Sequence, residues 1–152
     1  MTGSLVGQEA PYATIRFDLL STGTTTTAAT ALNGVYVSFH ATSNISYHSW
    51  LEQNGELFHE YGHAWSLYYA YMVQQDPTLA AYLQTRGLTA DPRIGTSYAW
   101  NPREMIAEDY RELFGDSNAQ ADDQMNRDIP LAKDVPGLRD FLSGSFMRPP
   151  AT

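Results

Sequence analysis

Cysteine is absent from the 152 residues. That excludes disulfides, thiolate metal ligands and a cysteine nucleophile, so a metal here has only His, Asp and Glu to bind it. Lysine occurs once, at Lys133. With a net charge of −8 and a sequence pI of about 4.7, the chain lacks the basic surface that a nucleic-acid partner requires. No apolar run approaches the ~20 residues of a membrane span, so no membrane partner is expected. The opening MTGSLVGQEA has neither a basic n-region nor an apolar h-region, so no signal peptide is visible. The compartment stays open. Scarce lysine with frequent Thr, Ser, Tyr and Gly leans towards a secreted rather than a cytoplasmic protein.

What is present suits one globular domain spanning 1–152, with 43% hydrophobic residues. The chain enters strand-like sequence almost at once and closes on Met147-Arg148-Pro149-Pro150, which reads as the start of a linker. A fragment of a longer protein is therefore one expectation. Ala13 to Leu20 and Gly34 to Thr42 read as strands. In the second, Val35, Val37 and Phe39 alternate with Tyr36, Ser38 and His40. Ser21 to Ala31, rich in Thr and Ala, reads as a loop or edge turn. Ser49 to about Val73 reads as a helix, broken or begun near Asn54-Gly55. Asp76-Pro77 and Asn101-Pro102 each carry a helix-start signature, with stops at Gly87 and Gly115. Leu88 to Trp100 and Asp116 to Pro136 read as loops, with Asp122-Asp123 solvated, and Pro136 to Leu142 reads as a short last helix. Strands followed by helices predict an α+β fold.

The first long helix carries the chemistry. Leu57-Phe58-His59-Glu60-Tyr61-Gly62-His63 contains H-E-x-x-H. Residues four apart stand one turn above each other, so His59 and His63 can offer two imidazoles to one metal, with Glu60 beside them as a general base. On a helical wheel Leu57, Tyr61, Ala64, Trp65, Tyr68 and Met72 form the core stripe, and the histidines fall opposite it. The bland reading, two polar residues on a solvated face, stands beside the metal reading.

A catalytic zinc takes a third protein ligand. The continuation H-x-x-G-x-x-H is excluded, because Ser66 and Tyr69 occupy its positions and no histidine follows His63. Unless His40 or His48 reaches back, the third ligand is an acid. The helix Asn101–Gly115 puts Ile106, Tyr110, Leu113 and Phe114 on one stripe and Glu104, Glu108 and Arg111 on the opposite face. One of these acids can bind metal while the next turn's carboxylate accepts a histidine N–H. By itself such a Glu, Glu, Arg face is an ordinary solvated one.

His59-Glu60-Tyr61-Gly62-His63 followed by Glu104-Met105-Ile106-Ala107-Glu108 resembles the gluzincin clan of zinc metallopeptidases, which includes thermolysin and the lethal-factor-type toxin proteases. The resemblance covers roughly residues 34 to 115. It implies a zincin-like α+β fold: a small, mostly antiparallel sheet packed on an active-site helix, followed by a helical C-terminal part. It further implies substrate along the edge strand, for which Val35 to His40 is in place. By the same resemblance His59, His63 and Glu104 bind Zn2+, Glu60 is the general base and Glu108 orients a ligand histidine. Some members use a tyrosine near the third ligand to stabilise the transition state. Tyr98 is the candidate here, ahead of Tyr110. The expected function is a zinc-dependent metallopeptidase acting on a peptide or protein substrate. The alternatives are a silent metal-site binding module and a non-peptidase zinc amidase. Substrate preference and oligomeric state are not readable from the sequence.

Overall fold

A computed structural model describes the backbone of residues 27–31, 34–38 and 47–150, and the side chains of residues 55–150. Over residues 55–150 the chain is 59% helical and holds no strand and no sheet. This overturns the expected α+β fold with an antiparallel sheet. The described strands are β1, Thr27–Ala31, and β2, Gly34–Ser38, which pair only with each other, Thr27 opposite Ser38 and Ala31 opposite Gly34. Among the described residues this hairpin is all the β structure there is. Alternation at Gly34 to Ser38 does mark a strand, but it cannot say how many partners that strand finds. β1 reads as a loop in the sequence because Thr-Ala-Ala-Thr-Ala has no large apolar residue to alternate. The expected strand Ala13–Leu20, with Phe39 and His40, lies outside the described residues. The expected substrate strand, Val35 to His40, is described only in its backbone and only to Ser38.

The core is built by helices. α1, Tyr47–Tyr68, runs unbroken through Asn54-Gly55 and continues into a π turn, Tyr69–Val73. α2, Ala80–Thr85, follows the Asp76 carboxylate, which accepts from the N–H groups of Thr78 at 3.1 Å and Ala80 at 2.8 Å. It stops at Gly87, whose φ of +72° suits a residue without Cβ. α3, Pro102–Phe114, starts at Asn101, whose side chain accepts from Arg103 N–H at 3.1 Å. The expected loop after Gly115 holds a short helix, α4, Ser117–Gln120, and α5, Leu138–Ser143, closes the described region.

α1 and α3 cross closely, and Gly62 is where they meet. A Cβ at Gly62 would stand 2.7 Å from the Ala107 carbonyl oxygen and 2.9 Å from Ala107 Cα. Around the crossing lies an aromatic cluster. The Trp65 ring sits 5.0 Å from Tyr110, 5.1 Å from Phe146 and 5.5 Å from Tyr69, in the tilted contacts that aromatic pairs favour. The expected stripe of α1 holds for Leu57, Tyr61 and Trp65, which are buried, but Met72 is 63% exposed and Tyr69 and Ala70 are buried instead. Tyr69 is one helical turn beyond Trp65, and within the π turn the wider i→i+5 winding swings Met72 out of the stripe.

α3 is the innermost element. Met105 through Phe114 are all buried. Its apolar stripe packs as expected, but its charged face is enclosed as well. Asp109 accepts from Tyr82 Oη at 2.7 Å and Arg86 Nε at 2.8 Å, and Arg86 Nη1 also donates to the Pro130 carbonyl at 2.6 Å. Glu112 accepts from Ala132 N–H at 2.7 Å. Asp109 is a buried charge that is paired and hydrogen-bonded, whereas the second oxygen of Glu112 has no hydrogen-bond partner among the described residues and burial pushes that carboxyl up towards its neutral form.

Candidate metal centre

The crossing of α1 and α3 brings the two acid-and-histidine faces together. His63 Nε2 and His59 Nε2 lie 3.1 Å and 3.3 Å from one atom, Glu104 Oε2. The two imidazole rings stand nearly perpendicular, at 85°, with centroids 4.8 Å apart. Glu60 is the near carboxylate on α1 itself; one of its oxygens lies with a nitrogen of each histidine inside a 4.8 Å group. All these side chains are largely withdrawn from solvent: His59, His63 and Glu104 are 12%, 11% and 15% exposed.

The outer nitrogen of His59 is also occupied. Nδ1–H donates to Glu108 Oε2 at 3.1 Å. That bond leaves Nε2 as the nitrogen facing Glu104 and His63, which is how an orienting carboxylate selects the ligating nitrogen of a histidine. Glu108 in turn accepts from Arg111 Nε at 2.9 Å and Nη2 at 2.6 Å, and from Met125 N–H at 3.1 Å.

The charges answer to these contacts. Burial disfavours the imidazolium of His59, but hydrogen bonds to Glu104 and Glu108 outweigh it and lift the pKa to about 9. Burial pushes the Glu104 carboxyl up, yet His59, His63 and Tyr98 hold it well below the usual carboxylate range. Glu108, also opposed by burial, is held at about 2 by Arg111 and His59. Glu60 is the exception. Burial raises its pKa and the two histidines only partly offset that, so it is the readiest of the three carboxylates to accept a proton.

Tyr98 stands in a turn of 3-10 helix, Tyr98–Trp100, and hydrogen-bonds Glu104. It is 64% exposed. The preceding loop is held by the Arg93 guanidinium stacked 3.9 Å from the Trp100 ring, and by Asn126 Nδ2 donating to the Ala99 carbonyl at 2.9 Å. Burial and then Glu104 push the phenol well above its ordinary pKa, so it remains a donor in alkaline solution. A cleft of about 490 Å³ opens beside these groups, lined by His59, Glu60, Tyr98, Glu108, Arg111 and Asp122 among others.

The structure thus gathers His59, Glu60, His63, Tyr98, Glu104 and Glu108 in one place. Tyr110, the second tyrosine considered, is buried among Trp65, Tyr61 and Phe114. His40, and the side chain of His48, lie outside the described residues. Arg111 is 2% exposed, so the alternative of an ordinary solvated Glu, Glu, Arg face does not hold for it. Its i, i+3 spacing from Glu108 is a signal of pairing, but not of burial. Asp123, expected to be merely solvated, has an exposed carboxylate while its carbonyl accepts from Arg111 Nη2 at 3.3 Å.

No protein-family model, no curated protein and no solved structure matches the chain.

Proposed function

We propose that this protein is a zinc-dependent metallopeptidase-like hydrolase of the gluzincin type. One observation carries the reading: a carboxylate oxygen from α3 lies 3.1 Å and 3.3 Å from one imidazole nitrogen of each α1 histidine. Two histidines and one acid, with no cysteine, fit a catalytic rather than a structural zinc site, a donor set that non-haem iron(II) shares. A calcium or magnesium site would be built from oxygens instead. The fixed outer nitrogen of His59 supports the same assignment, because a ligand histidine needs its tautomer set. His59, His63 and Glu104 would hold the metal.

When bound there, zinc supplies a Lewis acid that polarises a carbonyl and lowers the pKa of water to about 7. The chain's own residues do the rest. Glu60, with its raised affinity for a proton, takes one from the attacking water and passes it to the leaving amine. Tyr98, its hydroxyl released from Glu104, donates a hydrogen bond to the oxyanion that forms on the substrate carbonyl. Arg111 and Glu108 hold His59 in place.

The test is Glu60→Gln, which keeps the shape of the side chain and removes the base. The variant is expected to keep wild-type zinc content and Tm while losing nearly all hydrolysis of a broad peptide library, which the zinc-loaded wild type cleaves. If the wild type cleaves no more of that library than the variant, the peptidase reading fails and a binding module takes its place. Hydrolysis confined to small non-peptide amides would instead point to an amidase.

A further inference from the structure

Glu108 fixes His59, and Glu108 must itself be fixed, because a glutamate on a helix has three side-chain torsions to settle. Both of its oxygens are taken by one guanidinium. Arg111 Nε reaches Oε2 at 2.9 Å and Nη2 reaches Oε1 at 2.6 Å. Oε2 has room for one more donor, and that donor is His59 Nδ1–H, 49 residues away in sequence. The guanidinium is anchored on its far side, with Nη1 donating to the Ala119 carbonyl and Nη2 to the Asp123 carbonyl at 3.3 Å. At 2% exposure it has no water to turn towards. A planar fork with its donors committed on both sides sets the plane of the carboxylate it grips; a lysine in its place is a point charge that sets nothing but distance.

We infer that Arg111 is a positioning residue of the metal centre: its fork locks Glu108 in the rotamer that receives His59 Nδ1–H, and so aims His59 Nε2 at the metal. The inference rests on the metal-centre reading above. An Arg111–Glu108 pair that served the fold alone would leave metal affinity unchanged wherever the variant still folds, and its effects would add to those of Glu108.

The experiment measures zinc affinity of the full chain by competition with a chromophoric chelator, and the visible spectrum of the cobalt-loaded protein. It compares wild type, Glu108→Gln, Arg111→Lys and the double variant. Each single replacement is expected to weaken zinc binding about tenfold or more, the scale set by losing an outer partner of a ligand histidine. Arg111→Lys should alter the cobalt bands as Glu108→Gln does. The double variant should bind zinc no more weakly than Glu108→Gln alone, since Arg111 acts through Glu108. A folded Arg111→Lys with wild-type affinity and spectrum overturns the inference, as do losses that multiply in the double variant. Should circular dichroism show Arg111→Lys unfolded, Glu108→Gln combined with Arg111→Met removes both charges together. Its zinc affinity then matches Glu108→Gln if the inference holds and falls further if it does not. A wild type that takes up no zinc sinks the metal-centre reading and this inference with it. Zinc uptake with an unaffected Arg111→Lys sinks the inference alone.

Discussion

At the scale of single residues, the protein sorts similar groups into different jobs by their neighbours. Glu60, Glu104 and Glu108 are all glutamates within one turn's reach of the histidines. Glu104 and Glu108 are held ionised by the donors around them, while burial leaves Glu60 the one that welcomes a proton. Tyr98 differs from the aromatic cluster in the same way: its neighbours are the cleft and Glu104 rather than other rings. Tyr98→Phe is therefore expected to leave fold and zinc content unchanged and to lower kcat about 10²–10³-fold, the scale of one lost oxyanion donor. An unchanged kcat in the variant would remove Tyr98 from the mechanism.

Between elements, what matters is how closely α1 and α3 approach. Between His59 and His63, Gly62 lies against the Ala107 backbone, so this contact limits how far apart the two helices stand. Neither side of that contact is a side-chain end that can swing away. Gly62→Ala should therefore destabilise the fold by about 1–3 kcal/mol, as overpacking does, and weaken zinc binding by separating the two helices. A stable Gly62→Ala protein with wild-type zinc affinity would show that this contact does not set the spacing. The sequence displays the two ends of this arrangement and hides its middle. H-E-x-x-H and the glutamates one turn apart are legible because helical periodicity stacks them. Gly62 is only one of the two unspecified letters, and its role depends on a helix that arrives later in the chain. Arg111 is illegible for a similar reason, since Glu, Glu and Arg on one face look solvated until other segments cover them. Met72 was misplaced because wheel arithmetic assumes an unbroken 3.6-residue turn, which the π turn after Tyr68 interrupts. The expected sheet failed because alternation over five residues implies a strand, not a layer.

Across the whole molecule, the metal-free protein must hold a cluster of buried charges together by itself. The protonated His59 between Glu104 and Glu108 does this. Its pKa is raised from 6.5 to about 9 in the folded state, so its stabilising contribution is complete below pH 6.5 and is lost as pH rises through about 9. This is one interaction seen from both partners, not an addition to the depressed glutamates. After chelation, Tm should be lower at pH 9.5 than at pH 6.5. Added zinc should raise Tm more at the higher pH, where it no longer has to displace a proton. A metal-free Tm flat across that window would mean His59 is not clasped between the two carboxylates in solution. The same enclosure of α3 has a consequence for its history. A helix with a face in water can drift there, one residue at a time. α3 has no such face between Met105 and Phe114, and each of its charges answers to a group elsewhere: Glu108 to His59, Asp109 to Arg86, Glu112 to the backbone at Ala132. Substitutions in this segment should be tolerated in matched pairs, Asp109 changing with Arg86 and Glu108 with Arg111. A saturation scan of single variants should find ten consecutive positions nearly closed, and a paired library should reopen them.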